Sequence, residues 1–428
     1  MRTPLLLGLL TLAAAPLTAQ DPIDGGVRVG ITYTPGTRAK VAVLPGAGLD
    51  SARAILQRDL DYSDRFEVLA LERGDAPGGG AAVNYPLYRT LGVQYGIEVR
   101  AAGTQVAVRL HDVRTGAVRQ EQNFALPGPE AADFRMAVHR VSDEVVRWIT
   151  GTPGAAASRL LVLLGNRAYR VDSDGADVTP VTPASQRALS PTWSPDGRMI
   201  AYTEFADGRG PIILQDLLTG ARRRVTGTDT QLNFTPAFSP DGRTLAFART
   251  DQEGGTDLYA VNVADQCCLR RLTVGRYSDN LSPTYAPDGR RIAFVSTRAG
   301  APQIYAMSSD GTDQELLAPY DYGATGPSNA PEWSPDGAAV AFHRDIDRAH
   351  QVFLLDVASR RVRQLTSSGR NSDPTWAPDG RHLAFVSDRS GRPQVWIIDI
   401  ESGRIRQLVL PGDVRLPHWS RRLGGAQP

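Results

Sequence analysis

Residues 190–202 read SPTWSPDGRMIAY, and near-copies return as TPAFSPDGRTLAF (235–247), SPTYAPDGRRIAF (282–294), APEWSPDGAAVAF (330–342) and DPTWAPDGRHLAF (373–385). Each copy runs proline, one variable residue, an aromatic, Ser or Ala, Pro-Asp-Gly, then a short apolar run. The aromatics Trp193, Phe238, Tyr285, Trp333 and Trp376 stand 45, 47, 48 and 43 residues apart. Trp419, in RLPHWS, follows after another 43 without the Pro-Asp-Gly. A period of roughly 40–50 residues is the mark of a β-propeller, one four-stranded blade per repeat.

The chemistry inside one copy agrees. Asp-Gly between apolar runs signals a hairpin, because its turn needs positive φ, which is cheap for Gly and tolerable for Asp. Ile200-Ala201-Tyr202 alternates large, small, large, as a strand between packed sheets should. Each copy is followed by a second pair of runs, such as VFLLDVASRRVRQLT (352–366) and VWIIDIESGRIRQL (395–408), that reads as strand, turn, strand. Residues 159–183 supply three strands without a leading aromatic unit, and RLPHWS supplies a leading strand with nothing after it. The two fragments complete one more blade. The expected fold is a six-bladed all-β propeller closed by zipping the two ends of its chain into one sheet, which removes exposed edges. On this reading SPDG is mainly a turn and its aromatic mainly packing.

Residues 20–152 have another texture. VRVGIT (27–32) and KVAVLP (40–45) look like strands, a helix runs from about Ser51 to Leu60, and a strand lies at Phe66–Leu69. Strands in GIEVRAAG, TQVAVRLHDV and VRQEQNFAL follow. Phe134, Val138, Val141, Val145 and Trp148 then recur at steps of 4, 3, 4 and 3, one face of a helix. This predicts a smaller α/β N-terminal domain over 20–152, with a junction at Gly151–Ala155 and the propeller over 153–428.

Residues 1–19 read as an export signal: Arg2, an apolar stretch Leu5–Leu12 too short to span a bilayer, and Ala19 before the cut. No cysteine follows Ala19, which excludes a lipid anchor there. The rest has no apolar run long enough to span a membrane, so a soluble, exported protein without direct membrane insertion is expected. Lys plus Arg number 47 against 46 Asp plus Glu, which argues against nucleic acid or an anionic membrane as partner. Lys40 is the single lysine. Arginine suits protein interfaces through its bidentate fork. The two cysteines, Cys267 and Cys268, are adjacent. They admit a strained bond between neighbours or a redox pair; two ordinary strand or turn cysteines are the expectation.

Catalytic and metal motifs are wanting. A propeller-capped serine peptidase needs a Gly-x-Ser-x-Gly elbow, and none occurs. The histidines His111, His139, His343, His350, His382 and His418 lack ligand spacing, although His343 and His350 could meet across one hairpin as surface residues. Asp172–Gly175 (DSDG) lacks the later ligands of a calcium loop and reads as a turn. GGG at 78–80 has no phosphate-binding context. No catalytic, cofactor or metal residue is therefore assigned.

What remains is one mouth of the propeller. Loops entering the innermost strands gather there: QLNFTP (231–236), RYSDNLSP (276–283), YDYGATGPSNAP (320–331), RNSDP (370–374) and VRLP (414–417). EFADGRGP (204–211) and HRDIDRAH (343–350) lie beside them. These loops hold Phe234, Tyr277, Tyr320, Tyr322 and several arginines and asparagines, and aromatics and arginine are the types that dominate binding hot spots.

The whole layout resembles the TolB family of periplasmic propeller proteins in the Tol–Pal envelope system. VRVGIT…VAVLP is similar to the opening of that family's N-terminal domain. HRVSDEVVRWITGTPGAAASRLLVL is similar to its last helix running into the propeller, and SDRSGRPQVW and PHWS also fit. The resemblance implies a monomeric, non-enzymatic adaptor supporting envelope integrity, cell division and protein import. It implies a Pal-like peptidoglycan-associated lipoprotein at the mouth, around Asn233, Phe234, Asp279, Asn280, Asn371 and Asp373. It implies a TolA-like inner-membrane protein at the N-terminal strand Val27, Arg28, Val29, Gly30 and Ile31. Two features depart from the family: Gln20–Gly26 precede that strand, and the 320–331 loop is long. The rivals are an exported propeller hydrolase or lyase acting on peptide or glycan, and a paralogue with another protein partner.

Overall fold

The computed structural model describes residues 38–46, 48–71, 83–206, 209–226, 231–251, 255–275, 277–318 and 326–424. The export signal, Val27–Ile31, the GGG run, Tyr320 and Tyr322 lie outside them.

The N-terminal part is a five-stranded sheet with helices on its faces. Strands β1 (Ala39–Val43) and β2 (Phe66–Leu69) flank helix α1 (Asp50–Tyr62), and α2 (Tyr85–Thr90) precedes β3 (Tyr95–Ala102), β4 (Gln105–Asp112) and β5 (Ala117–Phe124). The strand order is β2-β1-β3-β4-β5, parallel around β1 and antiparallel beyond β3. Helix α3 (Phe134–Thr150) ends on left-handed Gly151, a residue that pays no Cβ penalty there. Its Phe134, Val138, Val141 and Val145 pack with Leu56 and Leu60 of α1 over Ile97, Val99 and Val108. Only α2 was unforeseen. Its signals are Asn84, whose side chain accepts from Leu87 N–H at 3.1 Å, and Pro86 in the first turn.

Six four-stranded antiparallel sheets make the propeller. Five are consecutive in sequence, with inner strands Arg187–Trp193, Asn233–Phe238, Asn280–Tyr285, Ser328–Trp333 and Asn371–Trp376. The sixth joins Val414–Trp419 to Arg159–Leu164, with Trp419 opposite Leu160 and Val414 opposite Leu164. The second strand of each consecutive blade buries one aromatic: Tyr202, Phe247, Phe294, Phe342 or Phe385. A blade cannot cover both faces of its own sheet, so neighbours interlock through these rings and the apolar residues around them.

The turn in each repeat differs in detail from the expected hairpin. Gly197, Gly242, Gly289, Gly337 and Gly380 are left-handed, but the aspartates before them are not. The carboxylate works as an acceptor instead. Asp196 takes the Ser194 hydroxyl and the Arg198 N–H, and Asp241 and Asp336 repeat the pattern. In the third and fifth blades Ala286 and Ala377 replace the serine, and in the fifth Asp379 binds His382 Nδ1 at 2.7 Å.

That histidine docks the N-terminal domain. His382 Nε2 lies 3.2 Å from Asp64 Oδ2, Arg404 Nη1 lies 2.8 Å from Asp64 Oδ1, and Arg406 stacks over Tyr62. Asp174, in the DSDG turn, pairs with Arg58 and Arg135. Asp143 accepts the N–H groups of Ala156 and Ala157. Among the described residues, the domain thus sits on the Pro-Asp-Gly face at the fifth and composite blades, away from the opposite mouth. No helix among the described residues is long and apolar enough to cross a membrane.

The cysteine expectation fails: Cys267 and Cys268 are joined in a disulfide within an exposed turn.

Candidate interaction site at the propeller mouth

The inner strand of every blade carries the same irregularity. The residue before its proline is left-handed: Ser190, Thr235, Ser282, Ala330, Asp373 and Leu416, with φ from +46° to +52°. At that point the pairing with the second strand slips in all six sheets. Proline offers no N–H to a ladder, so strands keep it at edges and bulges. An innermost strand has one unpaired edge, facing the channel. The bulges bring Pro191, Pro236, Pro283, Pro331, Pro374 and Pro417 onto the channel wall. The proline two places before each aromatic was the signal for this.

Residues just after the prolines stitch neighbouring blades together. Glu332 Oε1 accepts from the Trp376 N–H and the Thr375 hydroxyl, each at 3.1 Å. Thr375 Oγ1 accepts from the Trp419 N–H at 2.9 Å, and His418 Nδ1 from the Trp193 N–H at 3.3 Å. Burial pushes the Glu332 carboxyl up to about 8 and the His418 imidazole down to about 4. Both are therefore largely uncharged at neutral pH, and a neutral imidazole has the lone pair that Trp193 needs.

Above the wall, the three asparagines expected to face a partner are buried at 0–1 % exposure. Asn233 donates to the Gly210 and Gln231 carbonyls. Asn280 donates to Asp257 at 2.9 Å and accepts from Arg298 at 3.2 Å. Asn371 donates to Gln351 and accepts from Arg389, both at 2.8 Å. They hold the mouth loops from within. Arg298 and Arg389 are the residues that sequence reasoning passed over. Each lies on aromatic rings (Tyr305 at 4.7 Å, Trp396 at 5.0 Å) and reaches back to the asparagine that opens its blade. The repeated FVSTR (294–298) and FVSDR (385–389) carried the hint.

The other expected residues stand nearer the surface. Phe234 is half-buried against Ala248, Leu258 and Phe294 at the seam of two blades. Asp279 is half-buried, its N–H bonded to Thr297 Oγ1 at 2.8 Å. Asp373 lines the channel, and its N–H donates to His343 Nδ1 at 3.3 Å. His343 and His350 do meet, ring centroids 5.0 Å apart, but His343 is buried at 7 % rather than a surface residue. Tyr277 is fully exposed on the rim, with Val274 at 77 % and Val409 at 70 %.

One group among the described residues has ligand atoms close enough for a metal: Asp59, His139 and Asp174. Arg58 and Arg135 already pair with Asp174, and Ser142 and His139 with Asp59. Burial resists charge on His139, yet Asp59 raises its pKa overall. The group is a seam of ion pairs between domains, with cations already beside its acids.

Comparison with known proteins places this geometry. A curated relative from Methylococcus capsulatus, Tol-Pal system protein TolB, is 33% identical over 238 residues, 51% of this chain and 53% of the relative. The counterpart from Alcanivorax borkumensis is 30% identical over 237 residues, 51% of this chain and 54% of the relative. The chain thus spans about half the length of the curated relatives it matches. The crystal structure of TolB from Acinetobacter baumannii superposes with a TM-score of 0.77 at 25% identity, over 91% of this chain and 98% of that one. The family described as TolB beta propeller domain matches residues 147–322 and 322–424. On that match, which covers more than half of its residues, the chain belongs to the TolB β-propeller domain family.

Proposed function

We propose that this chain is a non-enzymatic adaptor of a Tol–Pal system, exported to the periplasm by a leader over residues 1–19 and built of an α/β domain (20–152) and a propeller (153–428). It receives a Pal-like lipoprotein at the propeller mouth and a TolA-like protein through Val27–Ile31, coupling the layers of the envelope during division. The observation that carries this reading is the division of faces. The N-terminal domain occupies the Pro-Asp-Gly face of the propeller, while the opposite mouth offers exposed Tyr277, Val274 and Val409 around a proline-walled channel. Tyrosine is among the residue types enriched at protein-binding hot spots, and Tyr277 stands with Val274 in one loop while Val409 lies three blades away. Glu332 and His418, the titratable side chains in that wall with the largest shifts, already hold backbone N–H groups of the next blade, which supports an interaction role over an acid–base one.

The test is cross-linking mass spectrometry of the chain in the envelope of its source. Cross-links from residues 274–280 and 370–374 to a peptidoglycan-binding lipoprotein are expected. Cross-links to other proteins alone would replace the partner. Turnover of an exported peptide or glycan that is lost on mutating Asp279, Asp373 and His343 would replace the adaptor reading by an enzyme.

A further inference from the structure

Cys267 and Cys268 sit in the turn between the third strand (Thr256–Asn262) and the two-residue outer strand (Arg270–Arg271) of the second blade. Asn262 ties the turn: its N–H donates to the Cys267 carbonyl at 3.2 Å, and its side chain accepts the Ala264 N–H at 2.8 Å. Asp265 accepts the Cys267 N–H at 3.1 Å. Gln266 and Cys268 have φ of +59° and +63°. The same pair flanks the acceptor carbonyl in the matching turns of the composite blade (Gly175 and Asp177) and the third blade (Gly311 and Asp313), so the left-handed residues belong to this turn and not to the disulfide.

Stapling does not account for this bond. A disulfide stabilises chiefly by closing a loop of the unfolded chain, and neighbours in sequence close none. Packing does not account for it either, because both cysteines are exposed. What the bond constrains is the local backbone, and the chain leads from there to the mouth. Arg270 reaches the third blade, donating to the Ser309 and Asp310 carbonyls at 3.1 and 3.3 Å. Arg271 Nε donates to Asp257 Oδ2 at 3.1 Å, and the same carboxylate receives Thr273 Oγ1 at 2.6 Å, the Gly275 N–H at 3.1 Å and Asn280 Nδ2 at 2.9 Å. Asp257 is 1 % exposed. The outer strand thus hangs between the cysteine turn at one end and the loop of Val274 and Tyr277 at the other.

We propose that Cys267 and Cys268 form a two-electron thiol–disulfide site, opened by an exposed dithiol, whose state sets how firmly the outer strand and the following mouth loop are held. One thiolate of the dithiol attacks a cysteine sulfur, breaking the S–S bond and forming a mixed disulfide; its second thiolate resolves that bond. The dithiol leaves oxidised, and the pair leaves as two thiols carrying the two electrons and two protons. Freed of the bond, the peptide joining Cys267 and Cys268 regains its torsional freedom, and Arg270–Arg271 lose a fixed starting point. An effect on a partner at the mouth rests on the adaptor reading; the site itself does not.

The experiment uses the full chain with dithiothreitol as the probe. Native mass spectrometry and alkylation without denaturant should show the two thiols appearing together, and both vanishing on reoxidation. Amide exchange at Leu272 and Gly275, whose N–H groups bond the Leu258 carbonyl and Asp257, should rise severalfold on reduction. The C267S/C268S variant should exchange at the fast rate with or without dithiothreitol. Free thiols in the oxidised protein, or reduction that needs unfolding, would overturn the proposal. So would reduction that leaves exchange over 271–275 unchanged. Neither readout involves a partner, so failure to capture one at the mouth is a separate result.

Discussion

Asp64 Oδ2 accepts from His382 Nε2 at 3.2 Å while Asp379 holds the other ring nitrogen at 2.7 Å, so one imidazolium bridges the N-terminal domain and the fifth blade. Burial opposes that charge, but Asp379 and Asp64 raise the His382 pKa to about 9 from the ordinary 6.5. The folded value lies above the unfolded one. The contribution to stability is therefore whole below about pH 6.5 and fades as pH rises toward about 9. His382→Gln should cost on the order of 2 kcal/mol at about pH 6, with the gap to wild type closing by about pH 9.5. Urea unfolding at the two pH values checks it; an equal gap at both would mean the imidazole is neutral in the folded protein.

Burial shifts the Glu332 carboxyl the opposite way from an ion-paired carboxylate. Its pKa is raised to about 8 from 4.5, so the folded chain binds the proton more tightly than the unfolded one. Wild-type stability should then fall between about pH 4.5 and 8 on this account. Glu332→Gln keeps an oxygen for the Trp376 N–H and removes the charge. The variant should match wild type at about pH 5 and exceed it by on the order of 2 kcal/mol at about pH 9. Parallel denaturant curves at both pH values decide the point.

Phe294 is fully buried, with its ring centroid 6.0 Å from that of Tyr305. Phe294→Ala leaves a cavity between two blades and should destabilise by about 3–5 kcal/mol. Leu218, 83 % exposed, should tolerate alanine to within about 0.5 kcal/mol. Equilibrium unfolding monitored by tryptophan fluorescence measures both.

At the mouth, anchoring and contact should separate. Asn371→Ala removes the acceptor of Arg389 and the donor to Gln351 in a fully buried position, and should cost about 1–3 kcal/mol. Tyr277→Ala touches nothing inside the fold and should leave stability within about 0.5 kcal/mol. Yet it should lower the yield of cross-links from the 274–280 loop severalfold. Thermal denaturation and cross-link quantification on the same samples give the comparison.

The repeat, the blade count and the zipped closure were legible because they rest on periodicity: the aromatic before Pro-Asp-Gly returns wherever a strand must fill the gap to its neighbour. The N-terminal helix face Phe134–Val145 was legible for the same reason. The fate of a polar side chain was not. Asn280 and Asn371 look like loop decoration in sequence, and only the approach of Arg298 and Arg389 across the blade turns them inward. The docking seam was written in single letters, His382 after the fifth Asp-Gly and Asp174 of DSDG, whose meaning depends on a domain more than 200 residues earlier in the first case. The prolines were visible in every repeat, but their effect needs the left-handed residue before them, which no local propensity announces.

The pairing of Trp419 with Leu160 has a consequence for the order in which the molecule comes together. A polypeptide is made from its N-terminus, and the strand Arg159–Leu164 emerges some 250 residues before the one that completes its sheet. Until Val414–Trp419 arrives, the ring is an open arc with an unpaired strand at each end. The platform for the N-terminal domain is itself unfinished, since His382 and Arg404 are also late arrivals. Assembly of both halves therefore waits on the last stretch of synthesis, and contacts of such long separation make it slow. An interrupted chain would lack the closing strand altogether, leaving the arc open to pairing with other chains.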